Sequence, residues 1–253
     1  MATINTKEIV LITGGNTGLG FEIAKVLLLL NRFHIIIGSR DATKGAAAIE
    51  KLHNLNLTDC STIPLDITSL SSLTSAFEII KQKHGKIDIL HANAGIAPES
   101  YMSGDKSPIS ELLKTACNTN VAGTAQSIET FLPLLQKSEN PRIVIMSTSL
   151  GSLTLQTTRD PRKWPAYAAS KAALNMVMLV YYHQHPKMKI NACAPGFRAT
   201  ALNNFGQGGS FAPGKIEDGA NNAVRLSLLG KDGESGTFTE MDDQTGEVRV
   251  VPW

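Results

Sequence analysis

Ile9-Val10-Leu11-Ile12-Thr13-Gly14-Gly15-Asn16-Thr17-Gly18-Leu19-Gly20 runs from an apolar stretch straight into glycines. Consecutive aliphatic residues without polar alternation have the pattern of a strand buried on both faces. Behind the glycines, Leu19, Ile23, Val26, Leu27 and Leu30 recur at helical spacing, so the turn joins a strand to a helix. Glycines there let backbone N–H groups and a helix N-terminus approach a pyrophosphate that a Cβ would obstruct. The spacing Gly14-x-x-x-Gly18-x-Gly20 differs from the commoner Gly-x-Gly-x-x-Gly fingerprint. A plain glycine-rich turn is the competing reading, and the rest of the chain has to decide.

Outward from this turn the alternation repeats. Strands are expected at 33–38, 61–65, 87–92, 142–146 and 189–194, and helices at 43–52, 69–83, 110–135 and 167–183, with Pro186 and then Pro195-Gly196 as stops. The pattern predicts an α/β fold: a Rossmann-type doubly wound parallel sheet with helices on both faces and a ligand crevice at the carboxyl ends of the strands. At 253 residues without internal repeats, one domain over 1–253 is expected, with a substrate lid around 197–215.

Lys plus Arg number 24 against 22 for Asp plus Glu, which leaves no field suited to nucleic acid and favours a small-molecule partner. Cys60, Cys117 and Cys193 are odd in number and far apart, so neither a disulfide framework nor a cysteine metal site is expected, and a reducing compartment follows. No basic n-region precedes a cleavable apolar stretch, and the run 26–30 is too short to cross a bilayer. A cytoplasmic protein with no membrane partner is the expectation.

Residues with chemistry fall at successive strand ends. Ser39-Arg40 ends the second strand where many dinucleotide folds carry an acidic residue for the ribose hydroxyls. A hydroxyl followed by a guanidinium suits a 2′-phosphate, so NADP(H) is favoured over NAD; a solvated Arg40 beside a helix-capping Asp41 is the alternative. Asp66, with Ile67, is placed for the adenine edge, and Asn93-Ala94-Gly95 for the adenine ribose; singly, a cap and a loop explain them as well. Tyr167 and Lys171 are four apart on one helix face. An ammonium near a phenol lowers its pKa from about 10 toward working pH, making it a usable general acid or base. Ser147, Thr148 and Ser149 offer a hydroxyl to a carbonyl oxygen. Asn120 is a poor helix-interior residue, which points to a buried polar role such as holding a proton-relaying water near Lys171.

With these residues in view, nearly the whole chain resembles the short-chain dehydrogenase/reductase family, most of all its carbonyl-reductase-type fungal and plant members. The matches are the glycine turn 13–20, Asn93-Ala94-Gly95, Asn120, Tyr167 with Lys171, and Pro195-Gly196 with Thr200. The resemblance implies hydride delivery to a ketone or aldehyde carbon while Tyr167 protonates the oxygen. Lys171 then tunes Tyr167 and binds the nicotinamide ribose, and Asn120 completes a proton relay. It also implies cofactor contacts from Gly14, Asn16, Thr17, Gly18, Leu19 and Gly20, and carboxamide contacts from Pro195, Gly196, Arg198 and Thr200.

Two positions depart from the family. Its hydroxyl residue, aligned on Gly151, falls on Thr148, with Ser147 and Ser149 as alternatives. Arg198 stands at a commonly aliphatic position, where a guanidinium near the pocket suits an anionic or phenolic substrate. Segments 96–109, 150–166 and 197–215 carry Tyr101, Trp164, Phe205 and Phe211 beside Arg159, Arg162 and Lys163, a partly aromatic lid suited to an aromatic or polyketide-like ketone of secondary metabolism. A redox-neutral cyclase or epimerase and an NADPH-sensing binding protein are the alternatives, and a metal site at His183 and His185 lacks a third ligand. Relatives form dimers or tetramers, for which Met176, Met178, Val180 and Tyr181 could supply a seam; some are monomers.

Overall fold

The computed structural model describes residues 7–102, 107–159, 164–206 and 212–253. Strands β1 (Glu8–Thr13), β2 (Phe33–Ser39), β3 (Cys60–Pro64), β4 (Ile89–Ala92), β5 (Arg142–Met146), β6 (Lys189–Ala194), β7 (Phe238–Met241) and β8 (Val248–Val250) form one sheet in the order 3-2-1-4-5-6-7-8. All pairings are parallel except β7 with β8. Strands β1 to β6 follow the alternation visible in the sequence. The last two are short, and the closing hairpin makes the edge antiparallel.

The helices are α1 (Gly18–Leu29), α2 (Ala42–His53), α3 (Leu70–His84), α4 (Glu99–Met102), α5 (Ile109–Cys117), α6 (Thr124–Leu135), α7 (Leu153–Gln156), α8 (Pro165–Gln184) and α9 (Ile216–Ser227). One sheet face packs on α3, α6 and α8 through residues such as Ile80, Phe131 and Met178; the other packs on α1, α2 and α9 through Leu27, Leu52 and Val224. Both faces of the central strands are therefore dry, which explains their uninterrupted aliphatic runs. The expected helix over 110–135 is divided by a π-helical turn, Asn118–Gly123.

Chain order reverses direction between β1 and β4, which lie side by side. Loops leaving their carboxyl ends diverge to opposite sides and open a crevice there. The glycine turn after β1 and Asn93-Ala94-Gly95 after β4 both lie in it.

Candidate active site

At the switch point, close approach governs residue choice. Gly14 has φ +63°, and a Cβ there would lie 3.1 Å from Ala94 Cα; a Cβ on Gly20 would come within 2.6 Å of Asn93 Nδ2 and 2.7 Å of Gly14 O. Asn93 braces the turn by donating from Nδ2 to Thr13 O and Gly14 O. The first turn of α1 has neither a side-chain cap nor an acidic residue, so its N–H groups are disposed toward an anion. Thr200 approaches from the far side, with its methyl 3.8 Å from the place of a Gly18 Cβ. The cradle fits a dinucleotide pyrophosphate.

At the adenine end, Arg40 is exposed and Asp41 caps α2 by accepting from Lys44 N. Ser39 is buried, and its hydroxyl donates to Asp41 O at 2.7 Å, so it has no proton left for a phosphate. Donors for an anion come there from Arg40 instead. Asp66 Oδ1 accepts from the N–H and hydroxyl of Thr68. Partial burial pushes the Asp66 carboxyl up, but these bonds and the Arg40 guanidinium together hold it below its ordinary value. Ile67 is buried against the backbone at Gly123.

Asn120 sits in the π-helical turn, fully buried. Its Oδ1 accepts from Ile96 N, and its Nδ2 donates to Ile96 O and Ser170 Oγ. The wider turn holds the amide between the Ile96 backbone and Ser170, and single π turns are common at functional sites. Gly95 separates Asn120 from Lys171: a Cβ there would lie 3.1 Å from Asn120 Oδ1 and 3.5 Å from Lys171 Nζ. Lys171 is buried and donates to Met146 O at 2.6 Å, with Nζ 5.7 Å from the Tyr167 ring centre. Burial pulls its pKa down to about 8.

Two expectations are corrected. The Tyr167 phenol is not lowered toward neutrality but raised, by burial and then by the Glu99 carboxylate. The Lys171 ammonium lies beside the ring and is bonded to a carbonyl, and it does not offset these effects. Arg198 does not present a free guanidinium to a substrate: it is 5% exposed, forks onto both Asp243 oxygens at 2.5 and 2.6 Å, and donates from Nε to Pro195 O.

The three hydroxyls differ. Ser147 is buried and donates to Asn175 Oδ1 at 2.6 Å. Ser149 accepts from Arg159 at 3.4 Å. Thr148, extended and half-buried, accepts from Leu150 N, which leaves its proton to donate. Of the expected lid residues, Phe205 is exposed in a left-handed conformation (φ 56°) and Trp164 directly precedes α8; Arg162, Lys163, Phe211 and the Tyr101 side chain lie outside the described residues. Met176 and Val180 are exposed on α8, whereas Met178 and Tyr181 belong to the core.

Two side chains that shape the site had not been singled out in the sequence. Asn175 continues the Tyr167–Lys171 face by one more turn of four, which is a readable signal. Glu99 caps α8 from another segment, accepting from Ala166 N and Tyr167 N at 2.7 and 2.9 Å. Its only trace is indirect: the helix starts at Trp164-Pro165, with no capping side chain of its own.

A doubly wound sheet with a glycine cradle at its switch point is the architecture of the Rossmann-type dinucleotide-binding class. Within that class, the chain belongs to the short chain dehydrogenase family, whose model matches residues 8–207. It is 44% identical to the short-chain dehydrogenase/reductase ATR10 of Stachybotrys chlorohalonatus, over 98% of this chain and 95% of that one. Salutaridine reductase of Papaver somniferum is 30% identical over 95% of this chain and 96% of its own. The solved structure of that reductase superposes with a TM-score of 0.78, covering 92% of this chain and 99% of the other at 29% identity. Carbonyl reductase from chicken fatty liver shares the fold at 22% identity, with a TM-score of 0.78 over 98% of this chain and 99% of that one. Among the described residues no helix is long and apolar enough to cross a membrane.

Proposed function

We propose that the chain is an NADPH-dependent reductase of ketone or aldehyde carbonyls, running in reverse as an alcohol dehydrogenase. The observation that carries this reading is one crevice holding both an anion cradle that only glycine permits and, beyond Gly95, a buried lysine beside a tyrosine. When bound, the reduced nicotinamide supplies the hydride. The turn 14–20, Arg40, Asp66, Ile67, Asn93 to Gly95 and the segment from Pro195 to Thr200 hold the cofactor, and Lys171 meets its ribose. Tyr167 enters as the protonated acid, the form that carbonyl reduction needs and that its burial favours. The Thr148 hydroxyl donates a hydrogen bond to the substrate oxygen while keeping its proton, and Asn120 orders the polar path behind Lys171.

The relatives include proteins named salutaridine reductase and neomenthol dehydrogenase, which supports a cyclic ketone of secondary-metabolite type as substrate. NADPH absorbance followed with a panel of aromatic and alicyclic ketones tests the reading. The native chain is expected to consume NADPH with at least one ketone, and Tyr167→Phe to lose roughly 10²–10⁴-fold in kcat while still binding NADPH. Binding without consumption of any ketone would favour a sensor. Unimpaired turnover by Tyr167→Phe would remove Tyr167 as the acid.

A further inference from the structure

The polar face of α8 does not end at Lys171. Asn175 lies one further turn along and is 3% exposed. Its Oδ1 accepts from Ser147 Oγ at 2.6 Å, and its Nδ2 donates to Gly151 O at 3.3 Å. A turn earlier, Lys171 Nζ donates to Met146 O at 2.6 Å. Residues 146, 147 and 151 are thus all gripped from the same helix face, and they bracket Thr148. The contact is tight enough to demand glycine: a Cβ on Gly151 would lie 2.9 Å from the Lys171 carbonyl carbon and 3.1 Å from Ala172 N.

We propose that Asn175 is a positioning residue that holds the 147–151 turn against α8 and so fixes the Thr148 hydroxyl beside Tyr167. This rests on the reading of Thr148 as the donor to the substrate oxygen. One amide presents an acceptor and a donor in fixed geometry, so it pins both ends of the turn together. The Thr148 hydroxyl is aimed by the same turn, because its Oγ1 accepts from Leu150 N within it. Ser147 is thereby removed from substrate contact, since its proton is committed to Asn175 in a fully buried position. An apolar side chain at 175 would leave the Ser147 hydroxyl and the Gly151 carbonyl without partners.

A merely structural asparagine and a positioning one differ in how they interact with Thr148. Asn175→Ala is expected to lower kcat for ketone reduction roughly 10–100-fold by misplacing the hydroxyl, with the NADPH Kd from fluorescence titration changed less than about twofold. Thr148→Ala alone is expected to cost roughly 10²–10³-fold in kcat, but less by about the factor that Asn175→Ala itself costs when added to that variant. A Thr148→Ala penalty of full size in both backgrounds would overturn the proposal while leaving the reductase reading intact. A silent Thr148→Ala would instead defeat the reading of Thr148, and the proposal with it. Should Asn175→Ala not fold, Ser147→Ala removes the same contact from the other side with one hydroxyl. The Thr148→Ala penalty should shrink in that background too, and an undiminished one overturns the proposal.

Discussion

Arg40 and Lys171 show how a single side chain can set the working conditions of the proposed reductase. Arg40 is the exposed cation at the end of β2, with the Ser39 hydroxyl already spent on Asp41, so in the proposed reductase discrimination for a 2′-phosphate would fall on the guanidinium. Arg40→Asp puts a carboxylate where the phosphate would sit. It should raise KM for NADPH by at least about tenfold and improve the NADH to NADPH ratio of kcat/KM correspondingly. An unchanged ratio would exclude Arg40 from cofactor choice. Lys171 is held by burial at about 8, whereas the Tyr167 phenol is raised. The ammonium therefore loses its proton first as pH rises, and kcat/KM for reduction should fall above about pH 8. In Lys171→Arg, whose cation does not titrate in this range, residual activity should lack that limb. Tyr167, Lys171 and the glycines were legible in the sequence because their spacing is local. The direction of the Tyr167 shift was not, because it depends on burial and on a carboxylate contributed from a segment 68 residues away.

Secondary-structure elements were legible where periodicity was strong and lost where contacts between segments decide. Strands β1, β2 and β5 announce themselves as dry aliphatic runs, whereas β3, Cys60-Ser61-Thr62-Ile63-Pro64 with Thr62 and Pro64 exposed, is found by the alternation around it. Helix α9 was not among the expected helices although Ala220, Ala223, Val224 and Leu226 give it a buried side, mixed there with the polar Asn222 and Ser227; β7 and β8 are only four and three residues long. The π turn is invisible to a pattern of period 3.6, although the awkward Asn120 marks its position. Arg198 was legible as unusual, but its partner lies in the loop joining β7 to β8. The Asp243 fork ties Arg198 to that hairpin, and Gly214 leaves room for it: a Cβ there would fall 2.0 Å from Arg198 Nη1. Asp243→Ala strands a nearly buried guanidinium and should cost about 1.5–3 kcal/mol, the worth of hydrogen bonds to a charged group. For a domain of this size that corresponds to a fall in Tm of roughly 3–12 °C. Adding Arg198→Leu should recover most of the loss, since removing both members of a buried pair is far milder than removing one. A double variant no more stable than Asp243→Ala would show that the arginine packs rather than pairs.

Across the whole molecule, the two halves of the chain meet at a buried polar junction beneath the sheet. Ser227, at the end of α9, meets His91 Nε2 through its hydroxyl at 2.7 Å and accepts from Arg142 Nη1 through its carbonyl at 2.6 Å. Arg142 in turn pairs with Glu8 on β1. Strands β1, β4 and β5 and helix α9 are thus joined through one run of buried polar contacts. Burial holds His91 at about 3, against 6.5 for an unperturbed imidazole. His34 and His84, with ring centres 4.9 Å apart, are shifted in the same direction, first by burial. Between those limits the unfolded chain takes up protons that the native state refuses, so stability falls as pH falls. These histidines take nothing from stability above about pH 6.5, and His91 should erode it progressively from there toward pH 3. The Tm of the cofactor-free protein is therefore expected to be level near neutrality and to drop on acidification below about 6.5. His91→Gln keeps a neutral group able to bond Ser227 but has no proton to gain. It should flatten that descent while leaving the neutral-pH Tm within a few degrees of native, about 1 kcal/mol. An equally steep descent in His91→Gln would place the acid sensitivity in the His34–His84 pair or the carboxylates, and would leave the junction a matter of packing alone.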